Sequence, residues 1–373
     1  MREWIKGMDV SLLLEVERCG GRFYDHGAEG NALDILKNHG VNLIRLRLWN
    51  DPFDEDGNSY GGGGNDIGTT LTLAKRACER GMGWLLDFHY SDCWADPGKQ
   101  TMPKAWRGLQ EAELCQAVYD YTAKILKRCG EEGVIPGIVS VGNEITHGLL
   151  WPMGKAPAYD RIARLVSAGI HAVRDTVPGI PVMLHLDNGG NHELYRNWFD
   201  RYLEHGGADF EYIGLSYYPF WHGTLPMLQD NMNRTALRYQ KDLILAEVSM
   251  GHTLKDYQSR EKLPAERRKG MAAGPELAGK APFPMTPDGQ AEFMRQIMDI
   301  IRRVPQGRGR GFCYWEPAWL PVPGSGWATE AGIRYMNEKG PGGNEWANQA
   351  LFDYDGNALP ALEAIRDFEA ERK

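Results

Sequence analysis

Cysteine is scarce and poorly spaced for any task that needs several at once. The six, at positions 19, 78, 93, 115, 129 and 313, contain no Cys-x-x-Cys pair, so free thiols in a reducing compartment are expected and neither a zinc site nor a disulfide framework. No apolar run reaches 18 residues, which removes a membrane-spanning helix. Positive charge is in deficit: Lys plus Arg number 42 against 50 Asp plus Glu, a net charge of -8. A nucleic-acid or anionic-membrane surface needs the opposite balance. The one basic cluster, Arg267-Arg268-Lys269, sits in a Gly/Pro-rich stretch and reads as a solvated loop. No export-type apolar region separates Met1-Arg2-Glu3 from the first strand pattern, so a cytoplasmic protein is expected. No Gly-rich phosphate turn follows an early strand, as a doubly wound nucleotide-binding sheet would require.

What is present is a chain of 373 residues, 42% hydrophobic and 25% charged, the composition of a soluble globular protein with a sizeable core. Twelve Trp and sixteen Tyr can fill that core or offer flat platforms to sugar rings. Strand patterns recur at Trp4 to Val10, Leu43 to Trp49, Trp84 to Tyr90, Ile138 to Asn143, Pro181 to Asp187, Tyr212 to Tyr218, Leu243 to Glu247 and Gly311 to Trp315. Between them lie helical spacings such as Leu114/Val118/Tyr121/Ile125 and Phe293/Ile297/Ile301. This strict alternation predicts an α/β fold, a (β/α)8 TIM barrel, as a single domain over residues 1–373. Long loops follow strands one, two, three, seven and eight, all at the carboxyl rim where such barrels place their chemistry. Gly270 to Pro287 reads as an insertion in the seventh strand's loop.

Two apolar runs end in acids: Ile138-Val139-Ser140-Val141-Gly142-Asn143-Glu144 and Leu243-Ile244-Leu245-Ala246-Glu247. Period-two alternation puts Arg45 and Arg47 on one strand face and Asp87 and His89 on another, with His185 and Asp187 also at a strand end. So polar a barrel centre is either a site or a network of mutually satisfied structural ions. Paired glutamates suit glycosidic cleavage: one carboxyl, protonated, donates to the departing oxygen while the other, ionised, attacks the anomeric carbon. Asn143 is an amide able to bind a sugar 2-hydroxyl. Arg45 or Arg47 would keep Glu247 ionised, and Tyr218 would donate to it.

These residues sit within longer blocks: Arg45-Leu46-Arg47-Leu48-Trp49-Asn50-Asp51-Pro52, Leu86-Asp87-Phe88-His89-Tyr90-Ser91-Asp92, Trp94-Ala95-Asp96-Pro97-Gly98-Lys99-Gln100, Val141-Gly142-Asn143-Glu144, His185-Leu186-Asp187-Asn188-Gly189-Gly190, Ser216-Tyr217-Tyr218-Pro219 and Tyr314-Trp315-Glu316-Pro317-Ala318-Trp319. In this order they are similar to glycoside hydrolase family 53, the arabinogalactan endo-β-1,4-galactanases. The likeness runs from Gly7-Met8-Asp9 to Ala358-Leu359-Pro360. It implies acid/base Glu144 and nucleophile Glu247, cleaving β-1,4-galactan side chains of pectin, or oligosaccharides derived from them, with retention. Trp94, Trp315 and Trp319 become candidates for sugar stacking, and His89, Asp92 and Asp187 for hydroxyl binding or support.

No cofactor is implied. Bacterial members often carry a calcium motif after the seventh strand; here Ser249-Met250-Gly251-His252-Thr253 offers too few clustered oxygen ligands, so no metal is expected. The competing expectations are another retaining β-glycanase of the same clan, of mannanase, xylanase or cellulase type, and a catalytically silent carbohydrate-binding barrel. A metal-dependent hydrolase built on His89, His185 and Asp187 would lack the usual His-x-His spacing.

Overall fold

Eight parallel strands close on one another: β1 (Ile5–Asp9), β2 (Leu43–Leu48), β3 (Gly83–Phe88), β4 (Ile138–Val141), β5 (Val182–Leu186), β6 (Tyr212–Tyr217), β7 (Asp242–Val248) and β8 (Gly309–Trp315). Each pairs with the next and β8 pairs with β1. The computed structural model describes residues 4–261 and 268–369. Helices α1 (Ala32–Asn38), α2 (Ile67–Cys78), α3 (Glu111–Glu131), α4 (Tyr159–Thr176), α5 (His192–Glu204), α6 (Leu225–Tyr239), α7 (Pro287–Arg302) and α8 (Pro360–Asp367) follow the strands in turn. They cover the outside of the sheet, which is why the strands read as nearly continuous apolar runs.

Local chemistry starts each helix where the loop must stop. Asn31 accepts from Leu33 N–H, Asp66 from Gly68 and Thr69 N–H, and Thr286 from Gly289 N–H with Pro287 in the first turn. Each side-chain oxygen satisfies an amide that the helix cannot pair. None of the helices among the described residues is long and apolar enough to cross a membrane. All six cysteines are free.

Inside the barrel, alternation sorts the side chains by height. Leu43, Leu85, Ile138, Met183, Tyr212, Ile244 and Cys313 fill its lower part. Above them, towards the carboxyl rim, Asp9, Arg45, Arg47, Asp87, His185 and Ser216 point inward and are fully buried. A register step interrupts this order between β6 and β7: Leu215 faces Leu245, yet Ser216 faces Glu247. Ala246 is the extra residue of a bulge, a device that re-aims the side chains after it.

The expected long loops lie at the rim. Three of them form a continuous wall. The loop after β8 meets the loop after β3 through Trp94 Nε1 donating to Trp327 O (2.6 Å), Tyr335 OH to Asp92 Oδ2 (2.8 Å) and Lys99 Nζ to Glu338 Oε1 (3.0 Å). It meets the loop after β7 through Lys269 N–H and Gly342 O (2.9 Å). That last loop corrects one expectation. Arg268 is buried, pairs with Asp256 at 2.9 Å and lies over the Tyr257 ring, while Lys269 pairs with Glu345 and sits 3.8 Å from the Trp327 ring centroid. Arg268 is therefore buried against an acid and an aromatic face, whereas Lys269 stays exposed to solvent as expected; Arg267 lies outside the described residues. The insertion that follows holds a short helical turn, Pro275–Lys280, before α7. At the opposite end of the barrel Lys6 Nζ of β1 donates to Arg366 O of α8 (3.1 Å), joining the last unit to the first.

Candidate active site

The strand expected to run to Asn143 stops at Val141, because Gly142 turns the backbone to φ +86°. A Cβ at Gly142 would stand 2.6 Å from Ile145 Cγ2, so both conformation and space demand glycine. Glu144 is then left-handed itself, at φ 48° and ψ 49°, a cost of about 1–2 kcal/mol for a residue with a Cβ. Tyr90, Asn188 and Glu316 adopt the same conformation just past β3, β5 and β8. Backbone strain is concentrated at the barrel mouth, where it fixes side-chain direction. Gln100 Nε2 clamps the turn by donating to Asn143 O (2.8 Å).

Glu247 reaches the same space by a different route. Ile244 and Ala246 belong to the barrel interior and Leu243 and Leu245 to the layer beneath the helices, so plain alternation would turn Glu247 outward. The bulge at Ala246 brings it in. Its Oε1 lies 3.0 Å from Arg45 Nη2, and its Oε2 accepts from Tyr218 OH at 2.7 Å. Glu144 Oε1 lies 2.6 Å from Ser216 Oγ. Oxygens of the two carboxyl groups approach within 4.8 Å. That is the short separation of retaining chemistry and well under the roughly 6.5–9.5 Å that leaves room for an inverting water.

Burial pushes both carboxyls above their usual range, but their surroundings differ. Glu144 is raised well up by burial and by the nearby charges of Glu247 and Asp187. At Glu247 burial is opposed by Arg45 and by the Tyr218 hydrogen bond. Two adjacent carboxyls that cannot both ionise leave the proton on the one without a cation, here Glu144.

Beneath them runs an ion network. Arg45 binds Asp9 (2.6 Å) and Asp87 (2.8 Å) and donates to Asn143 Oδ1 (2.7 Å). Arg47 binds Asp9 (3.0 Å) and Glu316 (2.5 Å) and lies 4.7 Å from the Trp94 ring centroid. Of the two arginines, Arg45 therefore serves Glu247. Asp87, though buried, is held well below the usual carboxylate range by Arg45 and His89, whereas burial outweighs Arg47 at Glu316 and pushes it up to about 8.

The remaining expected residues divide into those that face the cavity and those that support it. Arg47, His89, Trp94, Asn143, Glu144, Tyr218, Glu247 and Trp315 line a cavity of about 290 Å3. Asn143 gives one amide hydrogen to Ala95 O (2.8 Å) and keeps the other. Asp92 accepts from Asp51 N–H, Lys104 N–H and Tyr335 OH, and so pins the loop after β3. Asp187 accepts from Thr146 and from Asn188 Nδ2. Trp319 is a correction: fully buried, it packs 5.7 Å from Trp315 and donates to Asn344 Oδ1 (2.7 Å), bracing that cavity-lining indole from behind instead of facing the cavity itself. Trp221, Trp327 and Trp346 also line the cavity and were not singled out from sequence. Their signal was the unusual number of tryptophans in loops, without a periodicity to choose among them. His185 spends its ring nitrogens on Asn143 Oδ1 and Ser216 Oγ, and one of them lies within 4.8 Å of both Glu144 and Glu247.

The family model of glycosyl hydrolase family 53 matches residues 5–365. The chain belongs to that family. This family 53 chain is 37% identical to an endo-β-1,4-galactanase of Bacillus subtilis (strain 168), over 99% of this chain and 87% of that protein. It is 36% identical to arabinogalactan endo-β-1,4-galactanase A of Aspergillus niger, over 84% of this chain and 85% of the relative. The solved family 53 catalytic domain of Ignisphaera aggregans superposes with a TM-score of 0.89 at 39% identity, covering 98% of this chain and 96% of that one. The family 53 chain is accordingly a glycoside hydrolase with the (β/α)8 fold expected of it.

Proposed function

We propose that this chain hydrolyses β-1,4-galactan, or galacto-oligosaccharides derived from it, by double displacement, with Glu247 as nucleophile and Glu144 as acid and then base. The observation that carries the roles is the asymmetry of the pair: Arg45 and Tyr218 both bond to Glu247, and among the described residues no cation is paired with Glu144. Glu247 attacks the anomeric carbon while Glu144 gives its proton to the departing glycosidic oxygen. Glu144, now a carboxylate, takes a proton from water, and the hydroxide so formed releases the sugar from Glu247. Trp94 and Trp315, beside Arg47 in the cavity wall, offer ring faces to the sugar. Support for galactan as substrate is the activity in the names of the Bacillus and Aspergillus relatives. We take residues 1–373 as one catalytic domain.

The test uses two substrates. Glu144→Gln should cut galactan hydrolysis by roughly 10²–10⁴-fold and hydrolysis of an aryl β-galactoside with a good leaving group far less, because only the former needs protonation. Glu247→Gln should lose both. Equal losses on both substrates for Glu144→Gln, or faster cleavage of xylan, mannan or cellulose than galactan by the native protein, would reject the reading. Rates on long galactan against galactotriose and galactotetraose separate polymer cleavage from oligosaccharide trimming.

A further inference from the structure

Behind Glu144 a hydrogen-bonded row leads away from the cavity. Glu144 Oε1 meets Ser216 Oγ (2.6 Å), Ser216 Oγ meets His185 Nε2 (2.8 Å), and His185 Nδ1 meets Asn143 Oδ1 (2.9 Å). The far end sets the direction of every hydrogen in the row. Asn143 turns its nitrogen to Ala95 O and its oxygen to Arg45 Nη2; a guanidinium only donates and a carbonyl only accepts, so the amide cannot be flipped. His185 Nδ1 therefore carries a hydrogen. A neutral imidazole has one N–H, so Nε2 is bare and takes the hydrogen of Ser216. That hydroxyl has none left to give, and its contact with Glu144 is satisfied only when the carboxyl donates.

We propose that Ser216 and His185 are positioning residues that hold Glu144 in its acid form, with Glu144 Oε1–H donating to Ser216 Oγ and Ser216 O–H donating to His185 Nε2. This rests on Glu144 being the acid. His185 stays neutral because burial and the adjacent Arg45 together push it down to about 3; Asp87, His89, His222, Glu144 and Glu247 also stand around it. Glu144 is faced by Glu247 from β7, by Asp187 beyond β5, by Asp96 from the loop after β3, by Tyr218 beyond β6 and by Tyr195 from α5. None of these is a cation. Once Glu144 has given up its proton, Ser216 can turn to the carboxylate only by leaving Nε2 without a donor. The row therefore favours re-protonation and readies the acid for the next turnover.

The arrangement makes a claim of sign. A serine that merely donated to a carboxylate would lower the pKa of Glu144, and its loss would move the alkaline limb of kcat/KM to higher pH. Under the proposal Ser216→Ala removes the acceptor of the acid proton and moves that limb down by about 0.5–1 pH unit. In the native protein, 15N NMR of labelled histidine, with His185 assigned by its absence from a His185→Gln protein, should show the hydrogen on Nδ1. An upward shift, no shift, or a hydrogen on Nε2 overturns the relay. The histidine measurement decides by itself if Ser216→Ala does not fold. A native protein inactive on galactan and aryl galactosides would overturn the proposed function instead, and leave the tautomer measurable.

Discussion

Tyr218 and Arg45 both bond to Glu247, and that asymmetry can be read in pH profiles. Tyr218→Phe removes a donor to the charged form of Glu247, so its pKa rises and the acidic limb of kcat/KM should move to higher pH, with kcat on galactan falling about 10–100-fold. Arg47 is a matter of stability. Arg47→Met leaves Asp9 with only Arg45 and takes a hydrogen-bond donor from Glu316, both fully buried; the expected loss is about 1–3 kcal/mol in denaturant unfolding. Alternation along Leu43–Leu48 predicts that both arginines point inward. It cannot choose between them, because they differ by one layer of height and the partner of each depends on where Asp9, Glu247 and Glu316 sit across the barrel. Trp319 misled for a similar reason: Trp315 ends β8 and Trp319 follows four residues later, and only packing shows which indole covers the other.

The turn after β4 and the bulge in β7 do most of the positioning. Gln100 anchors the first, and Gln100→Leu should lower kcat about 10-fold while altering KM less, since it loosens the peptide that carries Glu144 without touching the ring platforms; steady-state kinetics on galactan check this. The bulge explains a gap between sequence and structure. The position of Glu247 at the end of an apolar run marks it as a site residue, yet the two-residue period of that same run assigns it to the wrong face. A bulge has no compositional signature here, because Ala246 is as apolar as its neighbours. The rim loops are illegible for a related reason: Trp327 is placed by contacts with Trp94 and Lys269, Trp346 by packing on Tyr218, Trp221 and Trp315, and irregular backbone has no period to read.

At the scale of the whole molecule the architecture was almost fully legible, since each of the eight units repeats the same apolar strand and amphipathic helix and a parallel sheet of that kind closes. What the repetition hides is the cost of the polar layer. Glu316 is buried with its pKa raised to about 8, while the unfolded chain ionises it near the ordinary value. Raised carboxyl pKa values favour folding at low pH, and that contribution is lost as pH climbs from the ordinary value towards 8. Glu316→Gln should therefore gain stability relative to the native chain between pH 5 and pH 8, on the order of 2 kcal/mol, in paired denaturant titrations. The contact between Lys6 and Arg366 has a separate consequence. With those two residues touching, a short peptide can join the segments that carry them and the backbone can be opened between Gly206 and Gly207, on the face away from the cavity. Such a circular permutant would start with the sixth strand, keep every neighbour relation in the ring, and still be expected to degrade its polysaccharide.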